Sequence, residues 1–481
     1  MPNKYALRKL LLTCCTAGFI CATSPLNADE LPNLGSSERT LFSQAEEAKL
    51  GAQYMQYLRG SGAVIEDPID QQYINDLGSQ LVSTSNDPSG HFYFFFMGSP
   101  EINSFAGPDG YIAVYSGLML ATSDEQELAS VMAHEIAHVT QGHIARKIAQ
   151  ASNQKYKTMA GMLAAIALGT VSGQAAEAAL AATAAGSQQS MLNFSREMEA
   201  EADRVGISTL ARANYDPNSM VEFFQRLQQS ERYYMKMPEL LSDHPLTPER
   251  ITDAQNRAAQ YSPRHHKTSQ EYYLIKERLR VITSRNNHAI ISFYKETLQD
   301  KKTHQRFAKQ YGYALALQED HQFDEAQKVM DQLMQDYPDQ LIFQIGAADI
   351  AIDAGNPTKA INIIEPTYEL YPDNYAAMVE YTAALYKAKK YSDALNVLRL
   401  HRLNYPDDPI PYALLSNVQA KAGKKAEAYQ TRALYLTNFG DFKGALAQLQ
   451  IAMQLPNLDS ATKSRIQSQE KGIKAQMQAA R

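Results

Sequence analysis

A period of 34 residues runs through the C-terminal part of this 481-residue chain and constrains its fold more than any other feature. Alanine and proline each recur at this spacing, at Ala326, Ala360, Ala394 and Ala428 and at Pro338, Pro372 and Pro406. The phrases around the alanines, from HQFDEAQKVM to GKKAEAYQTR, align without a gap. This period, with alanine in the second helix and a closing proline, is the tetratricopeptide signature. Each helix pair leaves an apolar face that only a neighbouring pair can bury, so we predict a stacked α-solenoid.

The repeats are flanked by further helical sequence. EYYLIKERLRVI and AIISFYKETL resemble a degenerate leading pair, and GDFKGALAQLQIAMQLP resembles a closing helix, so the predicted repeat domain covers 268–481. Such an array is either a scaffold or a concave surface that holds a peptide or a partner protein. Because stacked repeats create extended concave surfaces, we expect a binding role.

The first 28 residues have the layout of an export signal. Three basic residues precede the apolar run LLLTCCTAGFICA, and Pro25 and the small residue Ala28 follow it. This pattern predicts a secretory signal peptide at 1–28, and the apolar run is too short for a comfortable permanent membrane anchor. All three cysteines lie inside this segment, so the exported protein would contain no disulfide. We therefore expect a soluble protein of the bacterial periplasm.

The charge balance argues against nucleic acid as a partner. Without the three basic residues of the signal, 43 lysines and arginines remain against 52 aspartates and glutamates, which gives a net charge of −9. The sequence contains no long basic run. Binding to phosphates requires a concentrated surface of lysine and arginine, which this chain lacks.

A second predicted domain covers 29–262 and is mostly helical with one strand-rich patch. HFYFFFMGS and GYIAVYSGLM are β-rich runs, separated by the turn-rich segment PEINSFAGPDG, and we expect them to pair as a small antiparallel sheet. The sequence that follows, TSDEQELASVMAHEIAHVTQGHIARKIAQ, is typical of one long helix. Ser123 and Gln126 at its start predict a capping box.

The segment 159–186 of the same predicted domain is rich in alanine. It is interpreted either as a helical hairpin packed on the domain or as a lid or membrane-surface element. Its uninterrupted apolar run is too short to span a bilayer.

The motif HEIAH places three chemical groups on the predicted long helix. His134 and His138 are four residues apart, so both imidazoles face one side and can reach one metal ion. Glu135 lies between them and can act as general base on a water that attacks a peptide carbonyl. The surrounding residues are uncharged, which predicts a buried helix. His143 lies one turn too far along this helix to share the ion, and we interpret it as structural.

A third metal ligand is expected from the acidic segment NFSREMEAEADRVG. Glu199 and Asp203 are four residues apart, so one can bind the metal while the other orients a ligand histidine through its second ring nitrogen. The alternative is a solvated acidic helix face, because Glu197 and Glu201 are also present. Small residues alternate with the acids, which is unusual for an exposed helix, but spacing alone leaves both interpretations open.

HEIAH, followed about sixty residues later by SREMEAEAD, resembles the zinc metallopeptidases of the HtpX and CAAX-prenyl-protease type. The resemblance implies a gluzincin-like domain with one Zn²⁺ bound by His134, His138 and Glu199, with Glu135 as the base and Asp203 beside the ligands. It also implies that INSFAGPDGYIAVYSGLM contains an exposed edge strand, on which a substrate could lie as an added strand. HtpX-like members are embedded in the membrane, and this part of the resemblance does not carry over because the sequence has no spanning helix.

The combination of a signal peptide, this protease domain and tetratricopeptide repeats is similar to the periplasmic β-barrel assembly-enhancing proteases of Gram-negative bacteria. This similarity implies degradation of stalled or misfolded outer-membrane β-barrel proteins and chaperone-like help in their assembly. It also implies that the repeat domain contacts the barrel-insertion machinery, and peripheral contact with the membrane is compatible with it.

The segment LLSDHPLTPERI contains His244 directly before a proline, with Arg250 further on. The same zinc metallopeptidases have a similar His-Pro…Arg stretch near the active site. As a fourth ligand, His244 would complete a tetrahedral zinc ion, displace the catalytic water and keep the enzyme inactive until the loop moves. Alternatively, His244 stabilises the oxyanion of the reaction, or it is an ordinary loop histidine.

We therefore predict a mainly α protein, with a zinc metallopeptidase domain that contains a small β-sheet, followed by a tetratricopeptide-repeat solenoid. The expected activity is that of a metalloendopeptidase. The competing hypothesis is a repeat-based chaperone or scaffold whose metallopeptidase domain is mostly inactive or autoinhibited. The two hypotheses differ in whether His244 leaves room for a water on the metal.

Overall fold

The structure, a computed structural model, describes residues 43–150, 195–231, 239–404 and 409–479. The predicted signal peptide, the alanine-rich segment 159–186 and Pro406 lie outside these residues. Within them, the chain is mainly helical with a small sheet, as predicted, and this sheet has three strands. None of the described helices is long and apolar enough to cross a bilayer.

The sheet consists of β1 (Tyr93–Met97), β2 (Ser104–Ala106) and β3 (Tyr111–Tyr115), in the order β1-β3-β2. β2 and β3 form an antiparallel hairpin, and its turn holds Asp109 and Gly110 in the left-handed region, at φ 59° and 74°. β1 pairs with the other edge of β3 and runs parallel to it. The register pairs Tyr93 with Tyr111, Met97 with Tyr115 and Ser104 with Val114. The predicted antiparallel pairing of the two β-rich runs is wrong, because the segment between them forms a strand of its own and reverses the chain first.

Helices enclose this sheet on the N-terminal side of the molecule. The helices before the sheet are α1 (Gln44–Gly60) and α2 (Pro68–Val82). Those after it are α3 (Ser116–Ala121), α4 (Glu125–Thr140), α5 (His143–Gln150), α6 (Arg196–Arg212), α7 (Asn218–Glu231), α8 (Glu239–Asp243) and α9 (Pro248–Ala258). α4 packs against α2, the sheet, α6 and α7, and most of its residues are buried.

The N-terminus of α4 differs by one residue from the prediction. Its N-cap is Asp124, whose side chain accepts the backbone N–H of Glu127 at 3.0 Å. Ser123 instead donates its backbone N–H to the Glu127 carboxylate at 2.6 Å. The capping box predicted from Ser123 and Gln126 is therefore wrong.

The C-terminus of α4 also differs, because the predicted long helix is interrupted. α4 ends at Thr140, Gly142 adopts φ 63°, and α5 begins at His143. Glycine commonly ends helices in this way, because it has no Cβ to clash in the left-handed region. The break changes the direction of the chain directly after the HEIAH motif.

The repeat domain consists of helix pairs in the predicted register. Its helices are α10 (Gln270–Ile282), α11 (Asn287–Gln299), α12 (Arg306–Glu319), α13 (Phe323–Asp336), α14 (Leu341–Asp353), α15 (Pro357–Leu370), α16 (Tyr375–Lys387), α17 (Tyr391–Asn404), α18 (Ile410–Lys421), α19 (Lys425–Asn438), α20 (Phe442–Met453) and α21 (Ser460–Ala479). The four registered alanines are buried in the second helices α13, α15, α17 and α19. Pro338 and Pro372 lie two residues after the ends of α13 and α15. The predicted repeat architecture is confirmed.

The repeats pack firmly against the N-terminal half of the molecule. Arg278 on α10 forms an ion pair with Asp67, which is the N-cap of α2. The backbone N–H of Tyr375 on α16 donates to Gln72 Oε1 on α2 at 2.9 Å. One apolar core extends from α2, the sheet and α4 into α16 and α17. The repeat array is therefore fixed to the domain that carries the HEIAH motif.

Candidate active site and metal centre

Helices α4 and α6 lie close together because small residues separate them. Ala137 on α4 contacts Ala202 and Val205 on α6. A Cβ added to Gly206 would lie 3.2 Å from the backbone nitrogen of His134, which is tighter than an ordinary van der Waals contact, so glycine favours this close approach of α6 to α4. The alternation of small and acidic residues in α6 therefore serves close packing, and its acidic face points inward.

The four predicted ligands converge at the interface of these helices. His134 and His138 are buried, and their Nε2 atoms lie 3.0 Å apart. The Glu199 carboxylate lies 3.5 Å from His134 Nε2 and 3.4 Å from His138 Nε2. His244 follows α8, and its Nδ1 lies 3.0 Å from Glu199 Oε1 and 3.4 Å from His134 Nε2. Each residue thus offers one ligand atom, and all four atoms lie within 4.8 Å of one another.

The donor set fits a zinc ion. Zinc in proteins is tetrahedral with bonds of about 2.0–2.1 Å to nitrogen and oxygen, so neighbouring ligand atoms lie about 3.3 Å apart. Five of the distances between facing atoms of His134, His138, Glu199 and His244 are 3.0 to 3.5 Å, and a set of one atom from each residue lies within 4.8 Å. Three imidazoles and one carboxylate are a set that zinc accepts, whereas calcium and magnesium prefer oxygen ligands.

Buried acids and imidazoles shift one another's pKa values. Burial lowers the pKa of His134, but hydrogen bonds to Asp203 and Glu199 raise it to about 10. Burial raises the pKa of Glu199, and the neighbouring His244 and His134 bring it well below its usual range. Burial and the charge of His134 lower the pKa of His138 well below its usual range. An ionised carboxylate at the centre thus favours positive charge beside it, and a bound metal ion would replace the proton on His134.

A second set of charges holds the ligands from behind. Asp203 Oδ1 lies 3.0 Å from His134 Nδ1, which is the ring nitrogen that faces away from the other ligands. Arg250 on α9 donates to both oxygens of Asp203 at 2.8 Å, and its third nitrogen lies 2.8 Å from Glu199 Oε2. Arg250 also donates to the carbonyl of Pro245, directly after His244. One guanidinium therefore joins both acids to the loop that carries His244.

Glu135 is completely buried beside the four ligands. Its Oε1 accepts a hydrogen bond from the hydroxyl of Ser104 on β2 at 2.7 Å and lies 3.7 Å from His244 Nε2. Its Oε2 is buried without a hydrogen-bond partner among the described residues. One carboxylate oxygen is thus fixed and the other is available to a water, as a general base requires. The sequence did not indicate Ser104, because Ser104 lies on β2 and this strand was not predicted.

His143 has a closer relation to the site than the sequence suggested. It is completely buried, and its Nδ1 lies 2.8 Å from Nδ1 of His138. Its Nε2 lies 3.2 Å from Glu201, which forms an ion pair with Arg146 at 3.0 Å. As predicted, His143 is not among the four converging ligands. The glycine at 142 is the signal that could have shown its return toward His138.

Little space remains next to the ligands in this arrangement. Residues of α7, α8 and the His244 loop enclose a cavity of about 20 Å³ beside His134 and Glu135. Such a volume holds about one water molecule, and a peptide side chain needs more. Phe223, Phe224 and Leu240 form part of its apolar wall. This cavity, as the described residues enclose it, is therefore too small for a peptide side chain.

A helix with the HExxH motif, a carboxylate from a second helix and a buried base beside them define a metallopeptidase. The sequence model of Peptidase family M48 matches residues 68–258, and a tetratricopeptide-repeat model matches residues 351–418. The β-barrel assembly-enhancing protease of Escherichia coli (strain K12) is 33% identical over 455 residues, which are 95% of this chain and 93% of that protein. A putative β-barrel assembly-enhancing protease of Vibrio cholerae is 33% identical over 96% of both chains. The chain belongs to the β-barrel assembly-enhancing protease family and is a metalloendopeptidase.

A more distant similarity is confined to part of the chain. The mitochondrial metalloendopeptidase OMA1 of Homo sapiens is 32% identical over 152 residues, which are 31% of this chain and 28% of that protein. The family resemblance inferred from HEIAH and SREMEAEAD is thus confirmed. The four converging residues further indicate that the chain binds a metal ion.

Proposed function

We propose that this chain is a periplasmic zinc endopeptidase that degrades stalled or misfolded outer-membrane β-barrel proteins and assists their assembly like a chaperone. The observation that carries the proposal is the convergence of His134, His138 and Glu199, with the buried Glu135 beside them. The names of the full-length relatives support the class of substrate. The export-type sequence of residues 1–28 supports the periplasm.

Each residue of the site has a separate role in this proposal. His134, His138 and Glu199 hold one zinc ion per chain, and Asp203 orients His134 through its second ring nitrogen. A bound zinc ion supplies Lewis acidity, which polarises a peptide carbonyl and acidifies a water molecule. Glu135 accepts the proton of that water at its unpartnered Oε2 and delivers it to the leaving amine.

His244 acts as the switch in the same proposal. Its Nδ1 occupies a fourth ligand position, which is where a substrate oxygen or the attacking water would lie. The edge of β2 that faces away from β3 lies beside the site and would take a substrate as an added strand. The repeat domain would recruit the substrate and the barrel-insertion machinery, with peripheral contact to the membrane.

A second candidate function is a chaperone or scaffold whose peptidase site stays closed. The position of His244 as a fourth ligand and the cavity of about 20 Å³ favour this candidate. In that case, the bound metal would stabilise the fold, and the repeats would perform the function.

Zinc content and cleavage of an unfolded β-barrel protein test both candidates. We expect Glu135→Gln to retain one zinc per chain. Its cleavage rate should be about 10²–10⁴-fold lower than that of the wild type, because the base is absent. Glu197→Gln is the matched control, since Glu197 is exposed on the helix that carries Glu199. We expect His244→Ala to cleave faster than the wild type.

Three outcomes would contradict the proposal. If the wild-type protein contains no zinc, the proposed metal site is wrong. If Glu135→Gln is as active as Glu197→Gln, Glu135 is not the base. Absence of cleavage by both the wild type and His244→Ala, with zinc bound, would favour the chaperone or scaffold.

A further inference from the structure

We propose that His143 and Glu201 are positioning residues, which fix the proton of the zinc ligand His138 on Nδ1 and direct its Nε2 toward the metal. This inference deepens the proposed function and rests on it, because it requires a zinc ion at the four converging side chains. It concerns a contact on the far side of His138, away from the other ligands.

The break between α4 and α5 places His143 against His138. In a continuous helix, a residue five positions along is rotated by about 140°, so the two rings would face different sides. Gly142 has φ 63° and ends α4, and α5 starts with His143. The two rings therefore meet edge-on, with centroids 4.8 Å apart and Nδ1 atoms at 2.8 Å. This distance is that of a strong hydrogen bond.

The positions of the protons follow from the metal. His138 Nε2 lies 3.0 Å from His134 Nε2 and 3.4 Å from Glu199 Oε1, so Nε2 is the atom that faces the ion. A nitrogen that binds a metal carries no proton, so the proton of neutral His138 is on Nδ1 and is donated to His143 Nδ1. His143 then carries its own proton on Nε2 and donates it to Glu201 Oε2 at 3.2 Å. Only this tautomer of each ring satisfies both contacts.

Glu201 is itself held in place. Arg146 on α5 donates to Glu201 Oε2 at 3.0 Å, so one turn of α5 supplies both groups that contact this carboxylate. The two ligand histidines thus have parallel support. His134 contacts Asp203, which is bound by Arg250. His138 contacts His143, which contacts Glu201, and Glu201 is bound by Arg146. Such outer contacts set the orientation and basicity of the ligand, and their loss typically weakens metal binding 10–100-fold.

The full chain with three variants and one control tests the inference. His143→Leu removes the acceptor, whereas His143→Asn places an amide oxygen near the position of Nδ1. Glu201→Gln retains an acceptor but removes the charge, and Glu197→Gln is the control on the exposed side of the same helix. The readouts are zinc affinity by competition with a chelator, the visible spectrum of the cobalt-substituted protein, and kcat and KM at one pH.

We expect His143→Leu to weaken zinc binding about 10–100-fold and to change the cobalt spectrum. His143→Asn should restore most of the affinity and the spectrum, Glu201→Gln should show a smaller loss of the same kind, and Glu197→Gln should match the wild type. Restoration by asparagine separates positioning from a general loss of packing.

Several results would overturn the inference. His143→Leu with the zinc affinity and cobalt spectrum of the wild type would do so, as would His143→Asn no better than His143→Leu. If His143→Leu does not fold, Glu201→Gln becomes the deciding variant. The same zinc affinity and cobalt spectrum in Glu201→Gln and Glu197→Gln would then overturn the role of Glu201. A wild-type chain that binds no zinc would contradict the proposed function instead, so the two failures are distinguishable.

Discussion

Helices α4 and α14 are both largely buried, but α4 buries acids and imidazoles in addition to its apolar residues. The buried residues of α4 include Glu125, Glu127, His134, Glu135 and His138. Those of α14 are apolar or glycine, namely Phe343, Ile345, Gly346, Ala347, Ala348, Ile350, Ala351 and Ile352. Apolar burial stabilises a fold by about 25 cal/mol per Å², whereas an unpaired buried charge destabilises it by several kcal/mol. The burial of α14 is therefore favourable by composition, whereas the buried acids and histidines of α4 require partners.

The partners of α4 come from distant parts of the chain and form the site. Asp203 and Arg250 hold His134, and Ser104 holds Glu135. An apolar repeat helix such as α14 depends less on such partners, because a neighbouring pair buries the same small residues in each repeat. We therefore expect substitutions in the site to change metal binding and chemistry, and substitutions at buried apolar positions of the repeats to change stability without changing metal binding.

The largest expected effect on stability is that of Arg250→Ala. It leaves Asp203 and Glu199 buried without the cation that pairs with both, and breaking such a pair costs about 3–5 kcal/mol. Arg257→Ala on the same helix is the control, because its i,i+4 pair with Asp253 is far more exposed and contributes about 0.3–0.5 kcal/mol. Urea unfolding of the zinc-loaded proteins measures both. Equal losses for the two variants would contradict the role of Arg250.

In the repeat domain, Ala360→Leu tests the opposite side of this contrast. Ala360 is completely buried in α15, and a larger side chain there overpacks the solenoid by about 1–3 kcal/mol. The free energy of unfolding should fall, while zinc affinity stays at the wild-type value. Ala447→Leu on α20 is exposed and should change stability by less than about 0.5 kcal/mol. A loss of zinc affinity in Ala360→Leu would show that the repeats and the site do not act separately.

The repeats and the ligand spacing could be predicted from the sequence because both depend on local periodicity. A 34-residue period fixes which alanine meets the next helix pair, and four-residue spacing brings His134 and His138, or Glu199 and Asp203, onto one face. Spacing alone does not show that the acidic face of α6 points inward, because this direction depends on close packing near Gly206.

Contacts that depend on chain reversals could not be predicted. The hairpin at Asp109 and Gly110 makes β2 a strand and turns Ser104 toward Glu135. The left-handed Gly142 returns His143 to His138, although the periodic pattern continues across it as one helix. Arg250 follows His244 in the sequence, but nothing in its spacing shows that it binds two acids on α6.

A smaller effect is expected from Asp349→Asn, because Asp349 is an acid within the mostly apolar α14. Burial raises its pKa to about 6 from an ordinary value of 3.8, although Gln318 donates to its carboxylate at 3.0 Å. The folded state thus binds this proton more tightly than the unfolded state, so the contribution of Asp349 to stability falls as pH rises from about 4 to 6 and stays lost above. Asparagine removes this loss and should stabilise the protein by about 1–2 kcal/mol at pH 7, but not at pH 4.

The matched control for this pH dependence is Asp373→Asn at an exposed position before α16. Thermal unfolding at pH 4, 6 and 7 compares both variants with the wild type. A constant difference between Asp349→Asn and the wild type across these pH values would contradict the raised pKa.

The smallest expected effect is that of Ser104→Ala, and it appears in catalysis rather than in stability. The hydroxyl of Ser104 donates to Glu135 Oε1 at 2.7 Å and leaves Oε2 available to water. Without this bond, the carboxylate can rotate away from the water, so Glu135 is in the reactive orientation less often. We expect kcat to fall about 10-fold, with KM and zinc content unchanged.

Ser116→Ala controls for the loss of a buried hydroxyl near the sheet. Ser116 is as buried as Ser104, and its hydroxyl donates at the same 2.7 Å, but to the backbone carbonyl of Ser99 instead of a catalytic group. If both variants lower kcat equally, Ser104 acts only through packing of the sheet. If only Ser104→Ala lowers kcat and zinc binding is retained, the strand β2 contributes directly to the orientation of the base. In that case the site depends on the sheet as well as on α4 and α6. The described part of the repeat domain consists of helices and has no such sheet.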